Sequence, residues 1–140
     1  MLKKIVLGLS VVALVGSAAM AQDKMAPAPA APASNIKRTP LQKVENFPAG
    51  YNIVTVVAEI APNTFAGRHT HPGVDTGYVL DGEGVFLMEG KPDQPIKPGD
   101  SYAVPAGVPH DVKAGPKGVK VMAVYVVEKD KPVATPAPAK

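Results

Sequence analysis

Proline and glycine interrupt this chain so often that it has no room for a long helix. Its 140 residues include 16 Pro and 13 Gly, which excludes a helical bundle and divides the apolar sequence into short runs. Those runs are rich in Val, Ile and Tyr and are bounded by Gly, Pro, Asn or Asp, the pattern of strands and turns. Strands are expected at residues 53–60, 75–80, 85–89, 94–97, 101–104, 110–113 and 119–127. The last, VKVMAVYVV, is the longest apolar run and is expected to be central and buried on both faces. Turns are expected at Ala61-Pro62-Asn63, at Gly90 to Asp93, at Pro98-Gly99-Asp100 and within residues 105–109 (PAGVP). Asp81-Gly82-Glu83-Gly84 is expected to close a hairpin, and residues 113–117 (KAGPK) to form a further turn. No window shows a convincing 3.6-residue period, so the reading is an all-β sandwich or barrel.

The ends have a different composition. Residues 1–21 resemble a secretory signal peptide, with basic Lys3 and Lys4, an apolar core over residues 5–15 and Ala19-Met20-Ala21 as a small-x-small cleavage site. The mature chain would start at Gln22 in a periplasmic or secreted setting, with no stable membrane insertion after cleavage. Residues 22–35 are a Pro/Ala-rich linker, and 130–140, ending KPVATPAPAK, are expected to be a disordered tail. The folded unit is then 36–129.

Two of the basic residues lie in the leader, so the balance of 15 Lys and Arg against 12 Asp and Glu leaves the remainder close to neutral. No basic run interleaved with aromatics is present, which gives no footprint for nucleic acid. The chain has no Cys, hence no disulfide and no thiolate ligand.

Candidate chemistry centres on His69-Thr70-His71, two imidazoles that a strand would present to one side, with Asp75 following after Pro72-Gly73. The third and last histidine, His110, follows the PAGVP turn. Together they read N-x5-H-x-H-x3-D-x6-G from Asn63 to Gly82 and G-x5-P-x-G-x2-H from Gly99 to His110. This pair resembles the two-motif signature of the cupin superfamily, G-x5-H-x-H-x3,4-E-x6-G and G-x5-P-x-G-x2-H-x3-N. The resemblance implies a single small double-stranded jelly-roll β-barrel with a metal inside. It also implies His69, His71, Asp75 and His110 as metal ligands. Three departures are Asn63 for the first glycine, Asp75 for glutamate and Ala114 for the closing asparagine. The shorter Asp75 leaves two options open, a direct carboxylate ligand or three histidines with water.

An N3O set suits one divalent transition metal, Fe, Mn, Ni, Co or Zn, and the spacing does not choose among them. Three functions follow: a metal-dependent enzyme of dioxygenase, isomerase or lyase type on a small oxygenated organic molecule, a non-catalytic module binding a small molecule, or a structural protein. Tyr78 and Tyr102 are candidate acid/base or orienting groups, although packing is the ordinary role of a strand tyrosine. On a regular strand Tyr78 faces away from Asp75. Arg68 is expected on the surface, Glu59, Glu83 and Glu89 as solvated charges, and Phe86, Leu87, Met88, Val121, Met122, Val124 and Val126 as core. Apolar positions within residues 36–47 have no clear place in a monomer's core and suggest a homodimer.

Overall fold

The structure, a computed structural model, describes residues 35–138. The signal-peptide reading of residues 1–21 and almost all of the linker fall outside the described residues. Eight strands form one curled sheet: β1 (Ile36–Val44), β2 (Tyr51–Ile60), β3 (His69–Thr70), β4 (Val74–Met88), β5 (Gln94–Ile96), β6 (Ser101–Val104), β7 (His110–Glu128) and β8 (Thr135–Pro136). Every described pairing is antiparallel, and among the described residues there is no helix long and apolar enough to cross a membrane.

The two long strands organise the rest. β4 and β7 pair with each other along nearly their whole length, from Val74 opposite Val126 to Met88 opposite His110. On one half β7 also pairs with β2, which carries β1 at its edge, and β4 pairs with β6. On the other half β7 meets β3 and β4 meets β5. Alternation decides what lies inside: Asp75, Gly77 and Val79 on β4, and Val121, Ala123, Tyr125 and Val127 on β7, are buried while their neighbours are not. The strand at 119–127 is thus fully buried on one face and only half-buried on the other. That moves Met122, Val124 and Val126 out of the innermost layer and puts Ala123 and Tyr125 there. The core joins Ile60, Val79, Phe86, Ile96, Val104, Val112, Val119 and Val121, which at about 25 cal/mol per Å² of buried apolar surface is the main stabilising term.

Two expected turns are not turns. Asp81 to Gly84 and Lys113 to Lys117 lie inside continuous strands, with register shifts between Val79 and Asp81 and between Gly82 and Gly84. These are bulges, and they bend β4 and β7 together so that one ribbon serves both halves of the sheet. Gly82 has φ 74°, and a Cβ there would lie 2.2 Å from the carbonyl oxygen of Gly118, so the crossing requires glycine. A glycine signal inside two apolar runs reads equally as a hairpin or a bulge, and the partner strand decides. Asn63, standing where the motif has glycine, adopts φ 56°, a conformation Asn tolerates better than most residues.

The reading of 130–140 as a disordered tail is also corrected. Thr135 and Pro136 form β8 against Thr70 and His69, the amide of Ala137 donates to the carbonyl of Arg68, and Val133 packs against the core around Val56 and Tyr125. A Pro/Ala composition removes donors, yet an edge strand needs few of them. β1 is exposed at every residue except Ile36.

Candidate metal centre

The curl brings the three histidines together from two places in the sequence. His69 on β3 stands directly opposite His110, the first residue of β7, and His71 follows one residue after β3. The ring centroids are 4.8 Å apart for His69 and His71, 4.4 Å for His69 and His110, and 5.1 Å for His71 and His110. One ligand nitrogen from each lies within 4.8 Å of the other two, close enough to hold a metal ion. The PAGVP turn is tied to this cluster, since the amide of Gly107, at φ 74°, donates to the carbonyl of His71 at 2.9 Å.

Each imidazole is oriented by a main-chain carbonyl. Nδ1 of His69 meets the oxygen of Gly67 at 2.5 Å, Nδ1 of His71 that of Val133 at 2.5 Å, and Nδ1 of His110 that of Val108 at 3.0 Å. A carbonyl oxygen only accepts, so each neutral ring carries its proton on Nδ1 and leaves the Nε2 lone pair free. This fixing of the tautomer is what a ligating histidine needs. The carbonyl of Gly67 is itself placed by Asp111, whose Oδ1 accepts from the amides of Gly67 at 3.0 Å and Val112 at 2.7 Å.

Asp75 enters from β4, buried and opposite Tyr125. Its Oδ2 lies 3.7 Å from Nε2 of His71 and 3.5 Å from Nε2 of His110. Those separations are too long for good hydrogen bonds. Nε2 of His71 and Oδ1 of Asp75 are buried with no hydrogen-bond partner. Leaving two such groups bare costs about 1–3 kcal/mol each, and a divalent cation among them removes that cost. Three nitrogen donors and a carboxylate therefore fit one divalent transition metal, on the buried atoms themselves.

Burial also sets the protonation states. Desolvation lowers the His69 pKa to about 4 against an ordinary 6.5, with the neighbouring His110 and His71 adding to the shift. His71 is lowered too, again by burial, although the Val133 carbonyl and Asp75 oppose it. Tyr102 is pushed well above the usual phenol range by burial and by Asp75. Tyr125 is pushed up to about 12 for the same two reasons. Its ring packs 4.5 Å from that of His71, and the Tyr102 ring stacks on Phe86 at 4.5 Å.

Of the residues the sequence singled out, the structure gathers His69, His71, His110, Asp75 and Tyr102. Tyr78 is exposed on the outer face, as expected, whereas the Arg68 side chain, expected at the surface, is only 13% exposed and pairs with the more exposed Glu89. Sequence reasoning missed Asp111, Tyr125 and the Val133 carbonyl. Alternation along β7 could have found Tyr125, since it shares a face with Val121 and Ala123. A main-chain acceptor has no sequence signal.

The fold and the triad define a β-barrel-like protein with a cluster able to bind metal, and the comparisons agree. Residues 56–127, just over half of the chain, match the family model of the cupin domain, and the chain belongs to the cupin family. It is 45% identical over 42 residues to the dimethylsulfoniopropionate lyase DddQ of Ruegeria pomeroyi, a stretch that is 30% of this chain and 21% of the lyase. The crystal structure of the DddQ lyase from Ruegeria pomeroyi superposes with a TM-score of 0.56 at 24% identity, over 61% of this chain and 43% of that one. The chain thus spans less than half of this relative. A cupin-like protein of Thermotoga maritima aligns with a TM-score of 0.57 at 25% identity, over 73% and 75% of the two chains. A conserved double-stranded β-helix protein of Klebsiella pneumoniae aligns with a TM-score of 0.62 at 21% identity, over 76% and 88%.

Proposed function

We propose that the chain is an exported, metal-dependent cupin enzyme that acts on a small oxygenated organic molecule, with a lyase-type reaction as the first to test. The observation that carries this reading is the convergence of three carbonyl-oriented histidines and a buried Asp75, with Nε2 of His71 and Oδ1 of Asp75 left without a partner. The local similarity to a dimethylsulfoniopropionate lyase supports a lyase over an oxygenase or isomerase.

His69, His71 and His110 would hold the metal through Nε2, with Asp75 as the fourth ligand. Bound there, a divalent metal supplies Lewis acidity to a substrate oxygen or lowers the pKa of a bound water. The rest of the chemistry belongs to the chain. There is no Cys and every histidine is committed to the cluster, so no dedicated protein nucleophile is at hand. Tyr102 and Tyr125 keep their protons, so at neutral pH they donate hydrogen bonds to a ligand. Gly77, opposite Tyr102, has no side chain to displace that ring, whose hydroxyl lies 2.4 Å from where a Cβ would stand.

A second reading has its own observation. With both inward tyrosines held protonated, Asp75 is, among the described residues, the one carboxylate beside the Nε2 atoms of the triad, and a site without a spare base suits a module that binds a small molecule and releases it unchanged. Metal analysis of periplasmic protein comes first, with intact mass to locate the mature N-terminus expected at Gln22. Metal-reconstituted protein is then incubated with short carboxylic acids, keto acids, phenols and sugars, following oxygen uptake and product mass. Turnover abolished in His110→Ala is expected; a compound bound tightly and recovered intact with each of Fe, Mn, Ni and Zn moves the reading to the binding module.

A further inference from the structure

His71, Asp75 and His110 are 3%, 2% and 2% exposed, so a hydrated cation reaches them only if part of the surrounding wall moves aside. Much of that wall is fixed. β4 and β7 pair with each other along nearly their whole length, β7 also pairs with β2, and β4 also with β6. The PAGVP turn is tied by the Gly107 amide to the His71 carbonyl and by the Pro109 carbonyl to the Glu89 amide. On the remaining side His71 meets the segment after β7, and little holds that segment.

Residues 132–138 run back along β3 as a strap. Thr135 stands opposite Thr70 and Pro136 opposite His69, the Ala137 amide donates to the Arg68 carbonyl, and half-buried Val133 packs on Val56 and Tyr125. Pro132, Pro136 and Pro138 carry no N–H, so they add no donors to that hold. The strap leaves β7 through Asp130 at φ 65°, a left-handed turn that Asp tolerates. Lys131 is pinned there, with its amide 3.4 Å from the Glu128 carbonyl and its Nζ 2.6 Å from the Glu128 carboxylate. Movement beyond Lys131 therefore leaves β7 in place. β3 depends on the strap in turn, because its pairing with β7 is His69 opposite His110 alone. With the strap lifted, His69-Thr70-His71 becomes a sheet edge held at one residue, and His71 loses the Val133 carbonyl.

We infer that residues 132–138 are a latch over the histidines, which swings open beyond Lys131 to admit or release a cation and, when closed, holds the ion against exchange. A short segment with few buried contacts opens far more often than long paired strands do. The Val133 carbonyl couples the latch to the ion: it fixes the His71 tautomer that ligation requires, so closure and metal binding favour each other. The identity of the ion rests on the metal-centre reading, and the motion does not.

Thr70 and Thr135 offer a way to lock the strap. They are directly opposed, at a separation that a disulfide can span, and Thr70 points away from the face that His69 and His71 share. The chain has no Cys, so the pair Thr70→Cys/Thr135→Cys can form one bridge only. Release of Zn(II) from the loaded full chain into excess chelator is expected to slow at least about tenfold on oxidation and to recover on reduction. In the metal-free chain, carbethoxylation of His71 by diethyl pyrocarbonate, mapped by peptide mass, should slow and recover in the same way. A second variant works in the opposite direction without a bridge. Ala137→Pro removes the bond to the Arg68 carbonyl but keeps the Val133 carbonyl, and it should take up Zn(II) about two- to tenfold faster than wild type, the worth of one hydrogen bond. Equal release from the oxidised and reduced pair, or uptake by Ala137→Pro no faster than wild type, overturns the latch. The two readings fail separately. Protection of His71 by the bridge in a chain that binds no Zn(II) keeps the latch and sinks the metal centre, whereas Zn(II) that is retained and released equally fast from both forms does the reverse.

Discussion

Nδ1 of His71 donates to the carbonyl oxygen of Val133, 62 residues further along the chain and beyond the last long strand. The C-terminal segment is thereby part of the candidate metal centre, holding one imidazole in the tautomer that ligation requires. A chain ending at Lys131 is expected to fold, since the main core does not draw on Val133, and to bind metal roughly 10–100-fold more weakly. Metal dissociation constants of the two chains, measured by competition with a chelator, are the check; equal values would show that the carbonyl is dispensable.

Asp111 is expected to matter through Gly67. Removing its carboxylate strands the Gly67 and Val112 amides and frees the carbonyl that orients His69. Asp111→Ala should cost about 1–3 kcal/mol of stability, with Asp111→Asn, which keeps an acceptor, losing less. Denaturant unfolding of the metal-free proteins gives the stability effect. Metal affinity gives the positioning effect, and it should fall in the same order.

Chelation should lower the melting temperature, because an ion that binds only the folded chain stabilises it by about 2.7 kcal/mol at a hundredfold excess over its dissociation constant. His71→Ala should abolish tight binding. Asp75→Asn should weaken it less than any histidine-to-alanine change, since asparagine keeps a carbonyl oxygen where the carboxylate stands, 3.5 and 3.7 Å from two Nε2 atoms. Metal content unchanged in His71→Ala would place the ion elsewhere.

Acid should destabilise even the metal-free protein. His69 titrates near 4 when folded and near 6.5 when unfolded, so the unfolded chain takes up the proton first as pH falls. Its contribution is complete above pH 6.5 and is lost between 6.5 and about 4, and His71 acts in the same direction. Melting temperature measured from pH 7.5 to 4.5 in chelator should fall across that window, and more gently in His69→Gln. Parallel curves would mean that other groups control the acid limb.

We further propose that β1 is covered by a second copy of the chain. Leu41, Val44 and Phe47 are 56%, 37% and 65% exposed on or just beyond this edge strand. Light scattering at micromolar concentration should return twice the chain mass, and Leu41→Lys should return the monomer. A monomer for the wild type would discard the proposal.

The histidine cluster was legible because H-x-H and P-x-G-x2-H are local patterns, each a few residues long, and all three histidines fall within them. Asp75 was legible through the motif as a ligand position, but one methylene decides its reach and the sequence left direct ligation open. The supports of the cluster were hidden for a different reason. Val133, Val108 and Gly67 act through carbonyls that every residue has, and Asp111 acts across 44 positions of sequence. Gly82 and Gly84 were read as turn glycines because a bulge and a hairpin need the same residue.

The bulged ribbon of β4 and β7 has a mechanical consequence. His110 and Tyr125 lie on one strand, fifteen positions apart, and a straight strand would set them on the order of 50 Å from each other. Here both rings meet His71, at 5.1 and 4.5 Å. An ion gripping His110 and His71 therefore acts as a clasp on a spring: it ties together distant parts of a ribbon bent at Gly82, and its grip is felt as lost freedom of the open chain. Slow amide exchange should then spread on metal loading from the histidines along both long strands to the bend itself, and a side chain forced in at Gly82 should loosen the clasp from the far end of the ribbon.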